Sequence, residues 1–304
     1  MKRVVQILFI LILVLFIGGL LAGVGGMVAL FDPPERKIGK DSILALDLNG
    51  VITDGETFLE LLRKYRKEKH VKAVLIRINS PGGVVGPSQE IHDEIKRTRE
   101  EFKKPVYVFC SALAASGAYY AAVAADKIYT TPGCMMGSIG VLMEFVNLER
   151  LYDWAKVQRY ALTTGKFKNA GAEYKPLTEE QKALFQEMID DVLQQFKDAI
   201  IAGRKMKPEF LDQYADGRIF TGAKAVKLGF ADAVGSWDDA RKELGELVGM
   251  GADAKVFKAK KKRTLMDYLE DDGPESKMVE FGEKLIGAKL SGRPLYLLPG
   301  SVQF

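Results

Sequence analysis

Two glycine-bearing turns hold the residues best placed to do chemistry. The first, Ser80-Pro81-Gly82-Gly83, closes an alternating apolar run. Its glycines permit backbone conformations closed to other residues and leave amide hydrogens exposed at the approach to a helix. By itself the same tetrapeptide is also ordinary turn chemistry. The second, from Ser111 to Tyr120, reads Ser-Ala-Leu-Ala-Ala-Ser-Gly-Ala-Tyr-Tyr. Ser116 follows a buried-type strand, stands among alanines that keep its surroundings close and dry, and precedes Gly117, whose backbone can approach a substrate. Two readings of Ser116 stand side by side: a nucleophile, or a small residue selected for tight packing.

A nucleophilic serine needs a base, and the usual one is histidine. The chain has only His70 and His92. His70 lies in a Lys-Glu-Lys-His run and His92 on a charged helix beside Glu90, Asp93 and Glu94, so both read as solvated. A G-x-S-x-G elbow is absent too, because Ala114 and Ala118 occupy its glycine positions. Lys168, within Thr164-Gly165-Lys166-Phe167-Lys168-Asn169, is the alternative base. Lysine titrates near pH 10.4, so this role requires a pKa lowered by about three units, through burial and a neighbouring charge such as Lys166. Read locally, Lys168 is an ordinary exposed residue.

The elements that must position these residues alternate between strand and helix, the pattern of an α/β sheet covered by helices. Strands are predicted over 42–52, 72–79 and 105–110, with helices over 55–69 and 88–102. The small-residue stretch 112–125 reads as a tightly packed helix, and 139–143 and 157–163 as short strands. Thr178 and Gln181 form a capping box opening a long helix to about Gly203, with Leu184, Met188, Val192 and Phe196 as its buried stripe. A last helix spans about 237–248. Beyond it lie a solvated basic cluster from Lys258 to Arg263, an acidic loop, a short helix and an apolar end from Pro294 to Pro299.

From Val4 to Phe31 no residue is charged. At about 1.5 Å per helical residue this run crosses a hydrocarbon layer of about 30 Å, and its length favours an anchor over a cleaved signal. The flanking charges, Lys2 and Arg3 against Arg36, Lys37 and Lys40, leave the orientation open. In 304 residues, 44 Lys plus Arg nearly balance 40 Asp plus Glu, which argues against a nucleic-acid binder. Cys110 and Cys134 lack metal-ligand spacing and read as structural, with a single bond between them left open.

Several motifs in order, from about residue 42 to 240, resemble the signal peptide peptidase A family of membrane-anchored serine proteases. They are Arg77-Ile78-Asn79-Ser80-Pro81-Gly82-Gly83, Ala114-Ala115-Ser116-Gly117-Ala118-Tyr119-Tyr120, Met136-Gly137-Ser138-Ile139-Gly140-Val141, the Lys168 run, and Ala215-Asp216-Gly217-Arg218-Ile219-Phe220-Thr221-Gly222. Ala118 departs from the second glycine that many members carry. The resemblance implies an α/β, ClpP/crotonase-like fold with an N-terminal transmembrane helix. It makes Ser116 the nucleophile, Lys168 the general base, Ser138 the residue that positions the lysine, and the amides of Gly83 and Gly117 the oxyanion hole. For Ser138, a plain turn role between Gly137 and Gly140 is the competing reading. Tyr119 and Tyr120 line a groove or pack the core, the second being the expectation.

The implied division is a cytoplasmic segment (1–3), a transmembrane anchor (4–31), a stalk (32–41), a catalytic domain (42–250) and a C-terminal tail (251–304). The resemblance further implies a ring-shaped homo-oligomer with the serine and lysine meeting across neighbouring subunits. Its partners are peptide substrates, signal peptides among them, and membrane lipid; it implies no cofactor, no metal and an extracytoplasmic catalytic domain. Two alternatives remain open: a related membrane protease acting on apolar tails of membrane scaffold proteins, and an inert membrane scaffold of the same fold. A crotonase-like acyl-CoA enzyme is disfavoured by the anchor and the Ser/Lys pair.

Overall fold

The computed structural model describes Gly19, Ile38, residues 40–259 and residues 294–297. The expected anchor over 4–31 lies, but for Gly19, outside the described residues, as do most of the stalk and much of the tail. Among the described residues no helix is long and apolar enough to cross a membrane.

An eight-stranded sheet forms the frame. Its central strands are β1 (Ser42–Asn49), β2 (Val71–Ser80) and β4 (Val106–Ala115), all parallel, with the short strand β3 (Gly82–Val84) leaving the sheet just after β2. β5 (Lys127–Thr130) and β6 (Met135–Gly137) both pair in parallel with β4, and β7 (Ile219–Thr221) closes one edge antiparallel to β6. β8 (Ala233–Val234) adds to β5, and β9 (Val256–Lys258) pairs in parallel with β1 at the other edge. β10 (Leu295–Leu297) stands apart, paired antiparallel with β3.

Alternation along the strands divides the core in two, because successive side chains leave opposite faces of a sheet. Leu44, Leu46, Val74, Ile76, Val106 and Val108 enter the larger core, whereas Ile43, Leu75, Tyr107 and Phe109 face the smaller one. The larger core is covered by α1 (Glu56–Tyr65), α2 (Val85–Glu100), α3 (Gly117–Ala122) and the later half of α5 (Glu179–Arg204), which follows the short α4 (Glu149–Trp154). The short helices α6 (Pro208–Leu211) and α7 (Gly222–Leu228) follow, and α8 (Trp237–Leu247) covers the smaller core through Ala240 and Leu244.

Several expectations change. The stretch 112–125 is not one helix: β4 runs on to Ala115 and the helix starts only at Gly117. β4 can extend so far because Ala114 and Ala115 pair with Met136 and Gly137, so the sheet satisfies their backbone groups. The strand expected at 139–143 lies instead at Met135–Gly137, and 157–163 carries no strand.

The capping box of α5 forms as expected, with Gln181 N–H donating to Thr178 Oγ1 at 3.2 Å and Thr178 N–H to Gln181 Oε1 at 3.3 Å. Its apolar stripe does not behave as one. Phe196 and Ile200 are buried, but Leu184 and Met188 are exposed. A helix of 26 residues is about 39 Å long, and only its later part packs on the core.

A buried charge cluster ties α1 to α2. Glu94 is 5% exposed and pairs with Arg66 at 2.5 Å, Arg97 at 2.7 Å and Arg63 at 3.2 Å. Removing one member of a buried pair leaves uncompensated charge in a place water does not reach. Glu94→Gln is expected to lower unfolding free energy by about 3 kcal/mol, read as a drop in the urea midpoint. A loss below about 1 kcal/mol would show that the arginines find other partners.

Candidate active site

The first expected turn is not a free loop. Ser80 pairs with Ala114 across β2 and β4, and its Oγ accepts from Gly82 N–H at 3.1 Å. Ile52 then clamps the glycines from the side: Ile52 N–H donates to the Gly82 carbonyl and Val84 N–H to the Ile52 carbonyl, both at 2.8 Å. This closeness explains the residue types. A methyl group on Gly83 would lie 2.0 Å from the Ile52 carbonyl oxygen, and one on Gly82 would lie 2.6 Å from the Gly117 nitrogen. Gly82 also has φ +93°, where side chains are strained.

Ser116 occupies the junction between β4 and α3 with φ 53° and ψ −119°, a left-handed conformation unusual for a residue with a side chain. Two backbone bonds hold it there. Its N–H donates to the Gly137 carbonyl at 2.8 Å, and its carbonyl accepts from Tyr120 N–H at 2.9 Å. Ser116 is 1% exposed, yet its Oγ has no hydrogen-bond partner among the described residues. Buried hydroxyls are normally satisfied, so an unpartnered one is an exception that calls for a reason.

Ser138 follows directly on Gly137, is buried, and also has positive φ at 51°, with its N–H donating to the Arg218 carbonyl at 2.8 Å. The pairing of Ala115 with Gly137 therefore brings Ser116 and Ser138 to the same end of adjoining strands. Gly117 opens α3, whose first amides have no partner within the helix. Gly82 thus lies against Gly117, while Ser116 and Ser138 leave the sheet at the same level. Lys168 does not join them: it is exposed, in the irregular stretch after α4.

That stretch is unusual for its apolar surface. Val157, Tyr160, Leu162 and Phe167 are exposed within it, Leu162 completely, and Val146, Leu151 and Trp154 are exposed just before α4 or in it. Isolated exposed apolar residues are common, but so many large ones in one segment are not.

The histidines stay away from the hydroxyl, although only His70 is solvated as expected. His92 packs edge-on against Tyr120 at 5.0 Å, and burial holds its pKa below the ordinary histidine value despite Asp93. Both tyrosines are core residues as expected, but with different partners: the Tyr119 hydroxyl donates to the Phe230 carbonyl at 2.8 Å, and Tyr120 stacks on Tyr296 of β10. Cys110 and Cys134 are free buried thiols; burial raises both pKa values, that of Cys134 to about 11.

Sequence reasoning missed the groove around this centre. Its walls are β3 and Leu142, and the only trace of the second wall was the apolar run that suggested a strand at 139–143. Nearby, a cleft of about 260 Å³ is lined by Gly140, Val141, Ile189 and Leu193 among others.

A model of peptidase family S49 matches residues 98–251, and a Clp protease model matches residues 48–136. A Synechocystis sp. protein assigned as a protease is 33% identical over 243 residues, covering 79% of this chain and 83% of that protein. An Enterococcus faecium protein assigned as a signal peptide peptidase is 34% identical, over 69% of this chain and 64% of its own. Protease 4 of Haemophilus influenzae is 30% identical, over 71% and 36% respectively. The chain thus spans less than two thirds of the latter two.

The backbone amide of Gly117 can be tested through its lack of a side chain. A methyl group there would lie 2.4 Å from Ser88 Oγ. Gly117→Ala is expected to slow labelling of Ser116 by a fluorophosphonate about 100-fold, the cost of one displaced oxyanion donor. Adding Ser88→Ala should recover part of the rate. An unchanged rate in the single variant would remove Gly117 from the site.

Proposed function

Because the chain belongs to peptidase family S49 and is a serine peptidase, we propose that Ser116 is its nucleophile and that Lys168 of a neighbouring subunit is its base. The observation that carries this reading is the buried, unpartnered Ser116 Oγ, followed by Gly117, against whose nitrogen the Gly82-Gly83 turn packs, with the lysine exposed on the apolar stretch after α4. A second copy docked on that stretch covers its apolar side chains. It also strips water from the Lys168 ammonium, which favours the neutral amine a base requires. Repeated head to tail, such a contact closes a ring.

In the proposed reaction, neutral Lys168 takes the Ser116 proton as Oγ attacks a peptide carbonyl. The amides of Gly83 and Gly117 donate to the oxyanion, and Ser138 holds the lysine. The lysine then protonates the leaving amine and activates the water that hydrolyses the ester. The substrates are extended apolar peptides, remnant signal peptides in particular. The name of the Enterococcus faecium relative supports that class, and so does the uncharged run from Val4 to Phe31, which would hold the enzyme at the membrane. In this reading the catalytic domain works outside the cytoplasm.

Ser116→Ala and Lys168→Ala are each expected to be inactive, and their equimolar co-assembly to regain about a quarter of wild-type hydrolysis, since one interface in four keeps both intact residues. Verified mixed oligomers without any recovery would exclude a shared site. Lys168→Arg should be as inactive as Lys168→Ala, because a guanidinium stays charged.

A further inference from the structure

Between α4 and α5 the chain runs from residue 155 to 178 without a helix or strand, yet its second half is tied down. Residues 153–168 are exposed along their whole length, whereas residues 169–175 are half-buried. Lys168 is the last residue of the exposed part.

Glu173 is the centre of the tie. Its carbonyl accepts from Leu148 N–H at 2.6 Å, at the entrance to α4, and its carboxylate accepts from the Tyr152 hydroxyl at 3.2 Å and from the Arg159 guanidinium. Arg159 in turn lies over the rings of Tyr152 and Tyr174, 6.0 and 5.5 Å from their centres. The Tyr174 hydroxyl accepts from the Asn169 amide at 3.4 Å, and Lys175 Nζ donates to the oxygen of that amide at 2.9 Å. Contacts therefore run without a gap from α4 to the residue beside Lys168. The segment is fastened to α5 as well. Lys166 pairs with Glu180, and Gly171 lies against the Phe145 ring, which packs on Phe185 with ring centres 4.7 Å apart. A methyl group on Gly171 would come within 2.5 Å of Phe145 Cε1. Lys168 itself makes no ion pair among the described residues. A base that must reach a serine on another molecule gains from being held in advance, because ordering a free loop on docking offsets part of the contact energy.

We propose that Glu173 is a positioning residue for the base: by tying the Lys168 segment to α4 through Tyr152 and Arg159, it presents the lysine to the neighbouring Ser116 in one pose. The inference rests on the reading of Lys168 as a base shared between subunits. Glu173 touches neither substrate nor reacting atoms, so its loss misplaces the amine without removing it. A displacement of about 1 Å is enough to cost about 100-fold in rate. The defect then belongs to the molecule that donates the lysine, not to the one that supplies the serine.

Co-assembly of full-length variants separates the two sides. Glu173→Ala is expected to lower kcat on a fluorogenic apolar peptide more than about tenfold at unchanged KM. Mixed with Ser116→Ala in equal amounts, it should still reach about a quarter of wild-type hydrolysis, because its own serine then meets a lysine with the tie intact. The double variant Ser116→Ala/Glu173→Ala mixed with Lys168→Ala should fall more than about tenfold below the mixture of Ser116→Ala with Lys168→Ala, since only untied lysines face its intact serines. Should Glu173→Ala not fold, the same mixtures made with Glu173→Gln, which keeps the shape of the side chain and loses its charge, decide the matter: a loss confined to the lysine side is again expected. Equal losses in both mixtures, or none in either, overturn the positioning role. No recovery in the mixture of Ser116→Ala with Lys168→Ala overturns the shared base instead.

Discussion

The site depends on the close approach of two backbones, the turn after β2 and the start of α3. Gly82, Gly83 and Gly117 come so near to Ile52, Ser88 and one another that a single methyl group on any of them would overlap a neighbour. What sets that distance is the register of the sheet. Ser80 pairs with Ala114 and Ala115 with Gly137, so three chain segments end at one level and turn out of the sheet together. In the proposed oxyanion hole, amides held by such rigid ends need no rearrangement when charge develops, which is the physical basis of oxyanion stabilisation.

The same register accounts for the conformation of Ser116. A left-handed backbone at a residue with a side chain costs about 1–3 kcal/mol. The bonds to Gly137 and Tyr120 hold it in place, and the large core behind α3, with Tyr119, Phe196 and Phe230 buried, provides the surplus that sustains it. Strain at Ser116, the proposed nucleophile, is thus supported by packing on the far side of a short helix.

Charge and apolar surface are distributed to match. The ionic cluster around Glu94 locks α1 to α2 away from the turn, so that α2 presents Ser88 firmly to Gly117. The stretch after α4 carries both Lys168 and a set of large exposed apolar side chains. One half of the proposed dyad is therefore built into the core, and the other onto a surface suited to a second copy.

Local pattern alone located much of this. The alternating strands, the capping box at Thr178 and the two glycine turns were legible because each is specified by neighbours a few residues away, whereas for Ser116 local pattern left nucleophile and tight packing open. The errors have a common cause. Residues 112–125 look helical by composition, and Leu184 and Met188 look buried by period, but sheet pairing extended β4 and the core ended before the first half of α5. His92 reads as solvated from its charged neighbours, yet Tyr120 covers it. The sequence by itself determined which residue types can react and forced glycine at the turns. Only the tertiary structure decided which of them meet, that Lys168 stands apart from Ser116 within one chain, and that Tyr296 lies opposite Gly83, because strand register and long-range packing join residues that no local pattern relates.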